Sequence, residues 1–241
     1  MARGTLGRLG AVVFMVANPD GAGTLRATVL GATMSGKSRF IWNRWVSKLP
    51  RVIVVDHTGE WRRSDIEAEY TIGYRETVAA LRAFAGCESF RIIADLSENE
   101  IAALSLLLVP ERDIFARSPS FAMGGMALYL PEVDQSIELN SRASLVTKTL
   151  WRRGRHALLS VFADTQSLSS CSKEVTKNAE ILALLNFDEP RDMDYIRAKI
   201  GSPAEVERAL AWASKPYHVA VWLARVRKLV LLPPGNPELA P

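Results

Sequence analysis

Residues 27–38 read Ala-Thr-Val-Leu-Gly-Ala-Thr-Met-Ser-Gly-Lys-Ser, a short apolar run that breaks into Gly31-x-x-x-x-Gly36-Lys37-Ser38. This is the pattern of a phosphate-binding P-loop. Gly31 lets the chain leave a strand, and Gly36 lets backbone N–H groups close on phosphate oxygens with no side chain in the way. Lys37 is then expected to reach the β and γ phosphates, and Ser38 to offer its hydroxyl to Mg²⁺. Arg39 to Ser47 reads as the helix whose positive N-terminal end faces the nucleotide. The expected cradle is Gly31, Ala32, Thr33, Met34, Ser35, Gly36, Lys37, Ser38 and Arg39, and the expected cofactors are ATP and Mg²⁺.

The rest of the composition suits a domain built around such a loop. With 241 residues, 48% of them hydrophobic and 23% charged, the chain is long enough for one α/β domain with a sizeable core. We expect a single domain over 1–241, with an N-terminal strand or arm in 1–24, a core in 25–232 and an irregular tail in 233–241. The net charge of +4 is spread along the chain, which permits a polyanionic partner without pointing to one. Cys87 and Cys171 lie far apart and outside any CxxC pattern, so neither a disulfide framework nor a zinc site is suggested, and a reducing, intracellular setting is expected. Residues 9–17 faintly imitate a signal peptide, but beside a P-loop they read better as a strand. No apolar stretch approaches the ~20 residues that span a membrane.

Strands and helices alternate after the P-loop, which predicts a mostly parallel sheet covered on both faces. Helix 37–47 carries Phe40, Ile41, Trp42, Trp45 and Val46 at a spacing that suits core packing. Strands are predicted at 51–55, 90–94, 126–130, 158–163 and 181–187. Helices are predicted at 77–85, 98–108, 142–153 and 171–178, and two more within 188–211 are split by Gly201-Ser202-Pro203. Pro110 to Gly125 reads as a loop, and 217–224 with 226–232 as a C-terminal β-hairpin.

Two strand ends carry chemistry. Met126 to Leu130 runs into Pro131-Glu132-Val133-Asp134, and acidic residues at such a strand end are what ATP hydrolysis needs: one to help hold Mg²⁺ and its water, another to polarise the attacking water. Glu132 is the candidate for activating water. Strand 158–163 stops at Asp164-Thr165-Gln166, and an amide there is placed to touch the γ-phosphate or the lytic water.

The order of P-loop, strand ending Asp56-His-Thr-Gly59-Glu60-Trp61, strand ending Pro131-Glu132, then Arg153-Gly154-Arg155, Thr165-Gln166 and Phe187-Asp188-Glu189-Pro190 resembles the FtsK/HerA superfamily. The resemblance covers about residues 25–232 and implies a ring-forming, RecA-like P-loop NTPase fold. It is greatest toward the genome-packaging ATPases of internal-membrane icosahedral viruses and small HerA-like translocases.

Carried over residue by residue, the resemblance gives Lys37 and Ser38 the phosphate and Mg²⁺ roles, Glu132 the catalytic glutamate and Gln166 the sensor glutamine. Where the family usually has an aspartate before the glutamate, this chain has Pro131. The resemblance therefore leaves the outer Mg²⁺ contact missing or supplied by Asp56 or Asp134. In a ring, an arginine from the next subunit can act at the γ-phosphate, and Arg155, then Arg153, are the candidates beside Arg152. Arg62, Arg63, Arg112 and Arg117 are candidates for gripping DNA phosphates in a pore.

The implied activity is ATP hydrolysis coupled to movement of double-stranded DNA without sequence preference. The implied assembly is a homo-oligomeric ring, a hexamer, acting in a host cytoplasm or with a virion and docking to a capsid vertex or membrane-associated portal proteins. Alternatives that the residues leave open are a cellular HerA/FtsK-like translocase, a P-loop small-molecule kinase, and a weakly catalytic nucleotide-binding assembly protein.

Overall fold

The computed structural model describes residues 24–109, 126–137, 146–154, 159–187 and 190–233. The expected strand at 9–17, the loop 110–125 with Arg112 and Arg117, Arg142 at the start of its predicted helix, Arg155, Asp188, Glu189 and the tail from 234 lie outside the described residues.

Nine strands form one sheet, in the order β3-β4-β2-β5-β6-β1-β7-β8-β9. These are β1 Arg26–Gly31, β2 Arg51–Val55, β3 Glu69–Ile72, β4 Phe90–Asp95, β5 Met126–Leu130, β6 Leu159–Thr165, β7 Ile181–Leu185, β8 Val219–Leu223 and β9 Lys228–Leu232. Pairing is parallel from β3 through β7, and β8 and β9 add antiparallel at the far edge. The predicted mostly parallel sheet with a C-terminal hairpin is therefore the observed one. Strands such as Ile181–Leu185 are buried at every residue, which is why they read as unbroken apolar runs and not as alternating ones.

Both faces are covered. On one face, α1 Lys37–Arg44 packs Phe40 and Ile41 with Ala27, Val29, Tyr129, Phe162 and Ala183 of the sheet. The opposite face meets α2 Gly73–Ala83, α3 Glu98–Leu108 and α5 Lys173–Lys177, while α6 Asp192–Ile200 and α7 Pro203–Ala213 cover β7 and β8 there. A short helix, α4 Val133–Ser136, follows β5, and a wide helical turn, Lys148–Arg153, precedes β6.

Several boundaries move for identifiable reasons. The predicted helix 37–47 ends at Arg44, because Trp45 leaves helical geometry and Val46–Lys48 continues as a 3-10 turn. Helix α2 starts four residues earlier than the predicted Thr77, with the Glu76 carboxylate accepting from Ile72 N–H at its entry. Edge strand β3 escapes sequence reading because it has four residues, only one of them buried. Between α6 and α7 the break falls where predicted: Gly201 closes α6 at φ 77°, and Ser202 caps α7 ahead of Pro203. Strand β6 runs on through Thr165, so Asp164 lies inside a strand and not in the turn that the sequence suggests.

Candidate active site

The P-loop leaves β1 at the carboxyl edge of the sheet, between β6 and β7. A Cβ on Gly31 would stand 2.5 Å from the Leu185 carbonyl oxygen and 2.5 Å from Ser35 Oγ, so only glycine lets the loop pass there. Gly36 adopts φ 89° with open space where a side chain would be, which leaves the loop's inner surface to backbone groups. Lys37 is 6% exposed and its ammonium donates to the Ala32 carbonyl at 3.0 Å, across the mouth of its own loop. Ser35 Oγ is buried without a partner. A loop with a lysine folded over it and an orphaned hydroxyl fits a phosphate chain that would take both. Met34, by contrast, is 94% exposed at the tip, and Arg39 is exposed on α1.

Glu132 and Gln166 are brought together. Gln166 Nε2 donates to Glu132 Oε1 at 3.0 Å, and Gln166 Oε1 accepts from the Thr33 hydroxyl at 2.8 Å. A continuous polar chain thus links the P-loop, the end of β6 and the end of β5. Glu132 holds φ 44°, ψ 56°, a left-handed conformation that costs a non-glycine residue about 1–3 kcal/mol and is found where the surroundings impose it.

A residue that the sequence marked only as a strand end joins them. Asp164 is 0% exposed. Its Oδ2 accepts from Ser38 Oγ at 3.2 Å and from the Tyr129 hydroxyl in a short bond, and its Oδ1 accepts from Glu132 N–H at 3.1 Å. Burial pushes this carboxyl upward; the Tyr129 and Ser38 hydroxyls, the Glu132 N–H and the Lys37 ammonium oppose the rise. Burial and the Asp164 carboxyl push the Tyr129 phenol well up. Trp61 meets the ring of the fully buried Tyr129 edge-on at 5.4 Å and lies at a tilt to Trp42, at 5.1 Å.

The two other acidic candidates point elsewhere. Asp56, 3% exposed, uses Oδ2 to accept from Arg62 N–H at 2.8 Å and has the Thr58 hydroxyl at 3.4 Å, so it shapes the turn that delivers Trp61. It also follows β2, three strands from β1. Asp134 lies against Thr165, which shares a strand face with Ala163, two residues back; Ala163 packs with Val175 of α5, whereas Asp164 shares the other face with Phe162, on the α1 side. Strand alternation thus puts Asp134 across the sheet from Ser38. Burial raises the Asp134 carboxyl. The geometry brings neither Asp56 nor Asp134 to Ser38; the carboxylate it brings there is Asp164.

Among the described residues no group of three or more His, Cys, Asp and Glu is placed to hold a metal unaided. A cation at the loop would take the Ser38 hydroxyl and nucleotide phosphate oxygens as ligands, with carboxylates as the outer support. Arg153 is exposed at the end of the turn before β6, at the amino edge of the sheet, roughly the length of a seven-residue strand, ~23 Å, from its own P-loop. Arg152 is ion-paired to Glu174, and the pair holds the Glu174 carboxyl below its ordinary range. Arg62 and Arg63 are exposed in the turn after β2.

No family model matches the chain, and no curated protein matches it significantly. Solved structures do match. The chain is similar to the genome packaging NTPase B204 of Sulfolobus turreted icosahedral virus 2 in complex with AMPPCP, at TM-score 0.64 and 17% identity over 88% of this chain and 98% of that one. The complex of the same protein with ATP-gammaS gives TM-score 0.65 and 16% identity over the same shares. The cytoplasmic domain of the Thermomonospora curvata type VII secretion ATPase EccC gives TM-score 0.52 and 15% identity, over 86% of this chain and a quarter (25%) of that one. The resemblance drawn from motif order thus extends to tertiary structure, and the chain has the P-loop NTPase fold of these ATPases.

Proposed function

We propose that the protein hydrolyses ATP with Mg²⁺ and uses the energy to move double-stranded DNA, as the motor that packages a viral genome. The observation that carries this reading is the chain Thr33–Gln166–Glu132. It joins a loop built for phosphates to a carboxylate suited to activating water, through an amide that would register whether the γ-phosphate is there. A fold shared with B204 along nearly the whole of both chains supports the packaging role.

In this reading Lys37 neutralises the β and γ phosphates, Ser38 ligates Mg²⁺, and Glu132 takes a proton from the lytic water. Gln166 holds Glu132 and the water in line. Held by the Ser38 hydroxyl, Mg²⁺ would supply positive charge to offset that developing on the phosphate. The subunits work as a homo-oligomeric ring, a hexamer, in the host cytoplasm, docked to a capsid vertex or a membrane-associated portal. Arg153, remote from the chain's own P-loop, would act on a neighbour's nucleotide, a role for which Arg155 is the other candidate. Arg62 and Arg63 supply exposed positive charge for phosphate contacts that ignore base sequence.

The test is ATP turnover by the purified protein with and without long double-stranded DNA at low salt, with the oligomeric mass recorded. DNA-stimulated turnover by a ring supports the motor. An unstimulated monomer that binds ATP contradicts it and returns the choice to a kinase or an assembly protein, which phosphate transfer to a small acceptor would separate.

A further inference from the structure

The position that resemblance reserves for an aspartate is Pro131, and the sheet register shows what stands beside it. Strands β5 and β6 pair Met126 with Leu159 and continue to Leu130 with Ala163, so the next step sets Pro131 beside Asp164. On its other side Asp164 pairs with Val29 of β1, two residues before Gly31. Alternation gives both positions the same face: Ala127 and Tyr129 lead to Pro131, Phe162 leads to Asp164, and all three leading residues pack with α1. The carboxylate is thus displaced sideways by one strand, about 4.8 Å, toward the P-loop.

The contacts of Asp164 suit that post. It is fully buried, which disfavours an ionised carboxylate unless charge and hydrogen bonds compensate. Tyr129, Ser38 and the Glu132 N–H supply hydrogen bonds, and Lys37 is the positive charge acting on it. A divalent cation at Ser38 would add to that positive charge beside a fully buried carboxylate. The Ser38 hydroxyl already donates its proton to Asp164, which leaves the oxygen's lone pairs for a metal.

We propose that Asp164 is the outer anchor of the divalent cation in this protein, standing in on β6 for the acidic residue absent from position 131, a role that presupposes nucleotide binding at the P-loop as proposed above. Asp164 is a positioning residue: through Oδ2 it orients the metal-ligating hydroxyl of Ser38, and through Oδ1 it holds the backbone of Glu132. One buried carboxylate therefore ties the metal ligand to the water-activating residue. Asp56 and Asp134 have no part in it.

The experiment compares the affinity for a fluorescent, non-hydrolysable ATP analogue in Mg²⁺ and in EDTA, for the wild type, Asp164→Asn and the double variant Pro131→Asp/Asp164→Asn, with folding checked by thermal melting. Wild type should bind on the order of tenfold more tightly with Mg²⁺ than in EDTA, a gain that Asp164→Asn should largely abolish. Recovery of the gain in the double variant would show that the two positions serve one role. A folded Asp164→Asn protein with the full Mg²⁺ gain overturns the proposal, whereas a wild type that fails to bind the analogue overturns the nucleotide-binding reading instead. Should Asp164→Asn not fold, diffraction from wild-type crystals with Mn²⁺ and the analogue decides. An outer-sphere contact puts the carboxylate about 4–5 Å from the anomalous Mn²⁺ peak, and an Asp56 or Asp134 carboxylate at that distance with Asp164 beyond it overturns the proposal.

Discussion

Gln166 Nε2 donates a 3.0 Å hydrogen bond to Glu132 Oε1, across the gap between the ends of two neighbouring parallel strands, while its Oε1 accepts from Thr33 on the P-loop. A change at the phosphate loop therefore reaches Glu132 through one side chain. Substituting Glu132→Gln keeps the shape but removes the carboxylate proposed as the base. Turnover should fall by about 10²–10⁴-fold with nucleotide affinity retained. Gln166→Ala should lower turnover less and leave affinity intact. Single-turnover hydrolysis and equilibrium binding on the same samples check both, and undiminished turnover in Glu132→Gln would move the base elsewhere.

The left-handed backbone of Glu132 makes a prediction about stability. Its φ of 44° is strained for glutamate and ordinary for glycine. Glu132→Gly should raise the stability of the fold by about 1 kcal/mol while eliminating hydrolysis, the exchange expected at a site held in a costly conformation for function. Denaturant melts at constant m-value measure it. A lower midpoint in the variant would mean that the conformation carries no strain.

At Gly31 the direction reverses. A Cβ there meets the Leu185 carbonyl and Ser35 Oγ at 2.5 Å, and a backbone carbonyl in a central strand has little freedom to yield. Gly31→Ala should destabilise by about 1–3 kcal/mol and weaken nucleotide binding by pushing the loop off β7. Gly86, where an added Cβ meets nothing within 4 Å, is the control: Gly86→Ala should change neither property.

Glu100 ties two helices together and sets an acid-side stability limit. Its carboxylate accepts from Ser97 N–H at 2.9 Å, the Ser97 hydroxyl at 2.7 Å and Tyr74 N–H at 2.8 Å, capping α3 and anchoring the start of α2. These bonds, Ser97's first, hold the carboxyl below its ordinary 4.5. A lowered folded-state pKa gives stability that is present above the unfolded value and lost as pH falls through the folded one. Glu100→Ala should cost about 1–2 kcal/mol at pH 7, and the gap from wild type should close below pH 4.5. Urea melts at pH 7 and at acid pH test this, and a gap independent of pH would contradict it.

The two cysteines should differ in reactivity. Burial pushes the Cys171 thiol up to about 12, with its sulfur also donating to the Thr165 hydroxyl and the Ser167 carbonyl. Cys87 is half-buried in the turn before β4. At pH 8 a thiol reagent should modify one cysteine in the native protein and both after denaturation. Rapid double labelling of the native state would disagree with the observed packing of Cys171.

Much of the fold was legible because its signals are local. Parallel strands buried on both faces announce themselves as apolar runs, and β2, β5 and α3 occupy the residues that the sequence predicts. Ser202-Pro203 and Gly201 punctuate two helices by the same backbone rules that operate in isolation. Edge strand β3 was illegible since its ladder, and not its side chains, defines it. Of the site, the P-loop cradle could be read directly, because every element of it lies within nine consecutive residues.

The remainder of the site depended on register. Asp164 looked like a strand terminus because a charged residue is rarely fully buried, and no local pattern says that Tyr129, Ser38 and Glu132 will converge on it. Asp56 and Asp134 were equally good candidates while only chemistry and order were considered. The sequence by itself determined the phosphate loop, the succession of strands and helices, and the presence of a carboxylate and an amide at two strand ends, all of which are local and follow from backbone preference and hydrophobic period. Only the tertiary structure decided which carboxylate meets Ser38. Side-chain direction alternates along each strand, and which residues of different strands become neighbours is settled by pairing between segments far apart in the chain.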